Sequence, residues 1–105
     1  MLTVYAAKWC PHCTKTIEYL KKNKIEFEYI EIENQPETII QKIIQVNGGF
    51  DWVVPTLEFN GKWRPGKLYN EKELASDLKK LSYSKETLIK FYQESLDYVL
   101  ELNKN

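Results

Sequence analysis

The sequence predicts an α/β fold: one mixed four-stranded sheet with helices on both faces, plus an extra helix at the C-terminal end. Three observations carry that reading. Short runs rich in β-formers alternate with helical patterns through the first half of the chain, as in a parallel βαβ unit. An Asn60-Gly61 pair separates two later strand-like runs, a strong hairpin signal. The chain has 105 residues, 43% hydrophobic and 29% charged, which suits a single soluble domain over 1–105 that buries its own core.

Each element has its own signal. Residues 2–7 form an apolar run fit for a buried strand. Residues 10–23 read as a helix, with Pro11 at the first position, where its missing N–H costs nothing. Cys13, Ile17 and Leu20 make its apolar stripe, and Lys21, Lys22 and Lys24 suit the negative end of its dipole. Residues 25–33 alternate as a strand, but the phase changes between Tyr29 and Ile30, which predicts a bulge or a strand covered on both faces. A second helix is expected over 34–46, with Pro36 near its start and Ile39, Ile40, Ile43, Ile44 and Val46 along one side. Asn47, Gly48 and Gly49 stop it. Strands over 54–59 and 62–64 flank the hairpin turn, and Asn70 with Glu73 opens a helix reaching 81. A last helix is expected over 84–102, with Leu88, Leu96, Val99 and Leu102 at helical spacing, packed on the same domain.

Composition excludes several functions. Lysine plus arginine and aspartate plus glutamate number 15 each, so the basic excess that phosphate contacts need is missing, and neither nucleic acid nor an anionic membrane is expected as a partner. The chain starts with no secretory pattern and has no stretch of about 20 apolar residues, so a cytoplasmic protein with reduced thiols is expected. Two cysteines are too few for a disulfide framework, and two cysteines with one histidine fall short of a four-ligand zinc site.

Those three residues all lie within Cys10-Pro11-His12-Cys13, between a strand end and a helix start. A helix N-terminus supplies unpaired N–H groups and partial positive charge, which favour a thiolate. Cys10 is expected as the exposed N-cap and nucleophile, and Cys13 as the resolving thiol one turn further in, on the buried side. His12, protonated or donating a hydrogen bond, would lower the Cys10 pKa and make the couple more oxidising, and a His12→Ala variant would then shift it. Two other readings stay open. A structural disulfide closing so short a loop is worth only about 2 kcal/mol. A metal site would need ligands from a second chain or an external thiol.

With these motifs the chain resembles the glutaredoxins of the thioredoxin superfamily over residues 1–81, leaving 82–105 as an additional C-terminal helix. The resemblance rests on Trp9-Cys10-Pro11-His12-Cys13 after the first strand and on Val54-Pro55-Thr56, followed by Phe59-Asn60-Gly61-Lys62. It implies a thioredoxin-like fold and a cis Pro55 beside the nucleophile. It also implies a Val54 backbone that pairs with substrate, and glutathione as co-substrate with no bound cofactor or metal. Lys8 is the candidate for a glutathione carboxylate, and Gly66 matches the second glycine of the pair that holds the γ-glutamyl end. The aspartates that usually follow that pair are absent from Lys67-Leu68-Tyr69-Asn70. Their absence favours a second version, recycled by a thioredoxin reductase. A third, an iron–sulfur carrier bridging two chains, is opposed by Pro11, which cluster-carrying members usually lack.

The Pro-His pair also resembles that of the periplasmic disulfide oxidants, which implies a potential at or above the glutaredoxin range of about −200 to −230 mV. Trp9 is expected as an exposed contact for an extended substrate, with Trp52 also flanking the sulfur, whereas Trp63 is expected in the core. Glu26, Glu28, Glu31 and Glu33 read as a solvated strand flank. Disulfide-containing proteins are the expected partners of a monomer.

Overall fold

The structure, a computed structural model, describes residues 1–82. The order is β1 (Leu2–Ala6), α1 (Pro11–Lys22), β2 (Phe27–Glu31), a 3₁₀ turn (Ile32–Asn34), α2 (Glu37–Val46), β3 (Thr56–Phe59), β4 (Lys62–Arg64) and α3 (Glu71–Ser82). The strands form one sheet in the order β2-β1-β3-β4. β1 runs parallel to β2, as a βαβ unit requires, and antiparallel to β3. β3 and β4 make the expected hairpin, whose turn residues Asn60 and Gly61 lie at φ 50° and 83°. Positive φ at both central residues matches the twist of the flanking strands, which is why Asn-Gly is favoured there.

The register sorts the helices onto the two faces. Val4 lies opposite Leu57, and Leu57 opposite Arg64, so these three share a face. Arg64 reaches Asp77 of α3, which places α3 on that side. Tyr5 and Trp63 occupy the other face and stack with ring centroids 5.8 Å apart. Lys42 of α2 lies over the Trp63 ring at 5.7 Å, which puts α2 on this second side. The buried core runs through the sheet from Leu2, Val4 and Ala6 to Leu20, Ile32, Ile43, Leu57 and Leu74. Trp63 is half-buried against this core, in line with a packing role.

Three boundaries differ from the sequence reading, each for a local reason. α2 starts at Glu37 rather than 34 because Pro36 is its extended N-cap, and the residue before a proline is steered away from helical angles. The phase change after Tyr29 is neither a bulge nor a two-faced strand. β2 ends at Glu31, and the 3₁₀ turn swings Ile32 into the core. β3 begins at Thr56, so Val54 and Pro55 precede the ladder, where a proline that cannot donate does no harm. The helix expected over 84–102 lies outside the described residues. No helix among the described residues is long and apolar enough to cross a membrane.

One buried ion pair joins sheet to helix. Arg64 Nε donates to Asp77 Oδ2 at 2.8 Å, with the two side chains 5% and 12% exposed, and Lys67 Nζ donates to the same oxygen at 2.9 Å. Burial alone would raise the Asp77 carboxyl, but the hydrogen bonds and charges of Arg64 and Lys67 outweigh it and hold it below the ordinary aspartate range. Asp77→Ala leaves Arg64 buried and unpaired, and is expected to cost about 3 kcal/mol in urea or thermal unfolding. Because the folded carboxyl is depressed, its contribution is complete above about pH 3.9 and fades as pH falls through the lower folded value. The stability gap between wild type and Asp77→Asn is therefore expected to close in acid, and a gap that widens there would contradict this account.

Candidate active site

The Cys-Pro-His-Cys segment sits at the start of α1, carried there by the end of β1. Cys10 is the N-cap, in extended conformation, and Pro11 opens the helix. The Cys13 N–H donates to Cys10 Sγ at 3.2 Å, so the sulfur does the work that an oxygen does in an ordinary N-cap. That amide and the positive end of the helix dipole point at the atom that carries the charge when the thiol ionises. Both cysteines are free.

The sulfurs differ in environment, but less in exposure than expected. Cys10 is 6% exposed rather than open, because the chain at Val54 closes over it: the Cys10 thiol lies 3.8 Å from the Val54 carbonyl oxygen, toward which it donates. Cys13 is 1% exposed. Its burial, together with its hydrogen bond to Cys10, pushes the Cys13 thiol up to about 12; the Ala7 amide pulls it down, and the charges of Cys10 and Glu31 add to the rise. At neutral pH Cys13 is therefore a protonated thiol held one turn behind Cys10.

The Val54–Pro55 bond is cis, and Pro55 is buried with Thr56 behind it. Val54 and Cys10 thus meet across 44 residues of sequence. Gly66 closes the other side. A Cβ there would stand 2.4 Å from Val53 Cγ1 and 2.9 Å from the Val53 carbonyl carbon, so only glycine lets this loop approach the Val53–Pro55 segment.

His12 faces the same loop. Its Nδ1 accepts the Tyr69 N–H at 2.9 Å, so that nitrogen carries no proton in this arrangement. The donor at the Cys10 sulfur is the Cys13 amide, while His12 Nδ1 is engaged as the acceptor of the Tyr69 N–H.

Trp9 is 62% exposed beside the nucleophile and tilts against Trp52, with ring centroids 6.3 Å apart. Its indole N–H donates to Glu33 Oε1 at 2.7 Å. Glu31 accepts the Lys8 N–H at 3.4 Å and the Tyr29 hydroxyl. These two glutamates are thus more than a solvated flank: they brace the turn that carries Lys8 and Trp9. Alternation along a strand could not reveal this, because Lys8 and Trp9 come from the β1–α1 turn. The Lys8 side chain is exposed and has no ion pair among the described residues. No group of three or more metal-binding side chains gathers among the described residues.

The two thiols are expected to react unequally. Brief iodoacetamide treatment near pH 7.5, followed by mass spectrometry of the peptides, should label Cys10. Cys13 should stay largely unmodified, since a thiol pushed up to about 12 is almost wholly protonated there. Equal labelling would overturn the assignment of roles.

The arrangement has known counterparts. The family model for glutaredoxin matches residues 2–63. A protein assigned as a glutaredoxin in two strains of Mycobacterium tuberculosis is 33% identical over 58 residues, spanning 55% of this chain and 67% of the relative. The crystal structure of the glutaredoxin grx-1 from Archaeoglobus fulgidus superposes with a TM-score of 0.58 at 30% identity, covering 79% of this chain and 86% of the other. A wheat glutaredoxin, at 22% identity and a TM-score of 0.51 over 89% of this chain and 79% of its own, shows the same fold. With its paired cysteines at a helix start and the family match running from β1 through β4, the chain belongs to the glutaredoxin family.

Proposed function

We propose that this thiol–disulfide oxidoreductase reduces protein disulfides and glutathione mixed disulfides by the dithiol route, with Cys10 as nucleophile and Cys13 as resolving thiol. The observation that supports it best is the inequality of two sulfurs one helical turn apart: one caps the helix and receives an amide, the other is buried and protonated. The Cys10 thiolate attacks a substrate sulfur; the substrate S–S bond breaks, and one substrate thiolate leaves. Cys13 then gives up its proton, for which the departing thiolate is an acceptor, and attacks the Cys10 sulfur. The second substrate thiol is released, and two electrons have passed from the Cys10–Cys13 pair to the substrate.

The surroundings suit a substrate segment lying across the site. The Val54 backbone, set by Pro55, is the strand-like contact for it, Trp9 is an exposed apolar wall, and Lys8 is available for a carboxylate. Pro11 holds the first turn of α1 beneath the nucleophile. The proposed setting is the reducing cytoplasm.

A thioredoxin reductase as electron donor has a specific observation in its favour. Three donors on the loop after β4, where the family holds the γ-glutamyl end of glutathione, already have partners. Gly66 N–H donates to Asn47, Tyr69 N–H to His12, and Lys67 to Glu73 and Asp77. Glutathione binding there would have to displace internal hydrogen bonds worth about 1 kcal/mol each.

Two turnover assays test the function and separate the donors. One follows a glutathione mixed disulfide with glutathione as reductant, the other insulin reduction driven by thioredoxin reductase. Activity in the second alone would assign the reductase as donor, and activity in neither would refute the proposal. Cys10→Ser is expected to abolish all turnover, whereas Cys13→Ser should keep deglutathionylation, which needs a single thiol, and lose insulin reduction.

A further inference from the structure

Asn47 enters the sequence reading only as a helix stop, yet its side chain joins the Val53–Pro55 segment, which closes over the Cys10 sulfur, to the Gly66 segment packed against Val53. Its Oδ1 accepts the Gly66 N–H at 2.7 Å. Its Nδ2 donates to the Ile43 carbonyl at 2.8 Å and to Thr56 Oγ1 at 3.0 Å. The Thr56 hydroxyl in turn donates to the Val53 carbonyl at 2.6 Å. A continuous chain of hydrogen bonds therefore runs from the Gly66 amide, through Asn47 and Thr56, to the backbone just before Val54.

The donor count allows one arrangement. An amide has one acceptor oxygen and two N–H groups, and here the oxygen meets a donor while both N–H groups meet acceptors. Rotating the amide by a half-turn would set N–H against N–H at Gly66. Thr56 is fully buried, so its hydroxyl has no water to substitute for these partners. The contact is close as well as polar, since Gly66 lies directly against Val53.

We propose that Asn47 is a positioning residue for disulfide exchange, which sets the separation of the Val53–Pro55 segment and the Gly66 segment and so fixes the substrate backbone contact at Val54 relative to Cys10. This rests on the exchange reading above. It assigns to α2, which contributes nothing to either active-site motif, the job of holding the cleft at its working width.

The test is steady-state kinetics on a glutathione mixed disulfide of a short peptide, beside the iodoacetamide reaction rate of Cys10, for folded Asn47→Ala, Thr56→Val and the double variant. Each single variant is expected to lose about tenfold in kcat/KM, carried by KM, because the substrate contact is misplaced while the thiol is untouched. Cys10 alkylation should stay as fast as in the wild type or become faster. The double variant should lose no more than the worse single one, since both break the same chain. A purely capping role for Asn47 would lower the melting temperature and leave KM alone. If Asn47→Ala proves too unstable, Asn47→Asp keeps the acceptor for Gly66 but loses the donor to Thr56, and Thr56→Val keeps the shape of its site; either should show the raised KM. A folded variant with wild-type KM, additive losses in the double variant, or alkylation slowed in parallel with turnover would overturn the proposal. If the wild type turns over only insulin with thioredoxin reductase, the same variants are compared on that substrate with the same expected outcomes; a wild type inactive in both assays would instead defeat the exchange reading.

Discussion

The site depends on a cysteine standing in for a helix cap. Because Cys10 caps α1, the Cys13 amide points at its sulfur, and the three-residue spacing puts the second sulfur one turn behind the first. Pro11 suits the first helical position there, because it has no N–H that would be left unpaired. That single local arrangement makes the two thiols unequal: one receives a donor and the dipole, while the other is sealed in the core with its thiol pushed up to about 12. The rest of the structure holds other groups around this pair.

The holding is done from both faces of the sheet. On one face, Arg64 of β4 and Asp77 of α3 form a buried pair that ties the far strand to the last described helix and anchors Lys67 in the intervening loop. On the other, Asn47 at the end of α2 reaches Thr56 at the start of β3 and Gly66 after β4. His12 closes the ring by accepting the Tyr69 amide from α1. The loop after β4 is therefore pinned from α1, α2 and α3 together, and it lies beyond the residues that the glutaredoxin family model matches. The same loop is thus committed to internal partners, whereas Trp9 stays exposed beside Cys10.

The parts of this protein that could be read in its sequence are those whose causes are local. A short apolar run located β1, the apolar stripe and Pro11 located α1, Asn60-Gly61 located the hairpin, and Asn70 with Glu73 located the start of α3, where the Glu73 amide does donate to Asn70. Local rules misjudged the start of α2 because helical periodicity outran the restriction that Pro36 places on its predecessor. The position of the cysteine pair was legible for a similar reason: two cysteines and a histidine fall in one tetrapeptide at a strand–helix junction.

What the sequence determined by itself was the cysteine pair at a helix start, the sheet that carries it and the family to which the chain belongs, since periodicity, capping and turn chemistry act over a few residues. What only the tertiary structure decided was which groups surround the sulfur. Val54 stands over Cys10 from 44 residues away, His12 bonds an amide 57 residues on, and Asn47 spans 19 residues to Gly66. No local pattern encodes such partners. They follow from sheet register and helix placement, which bring distant segments within hydrogen-bond reach only once the core has packed.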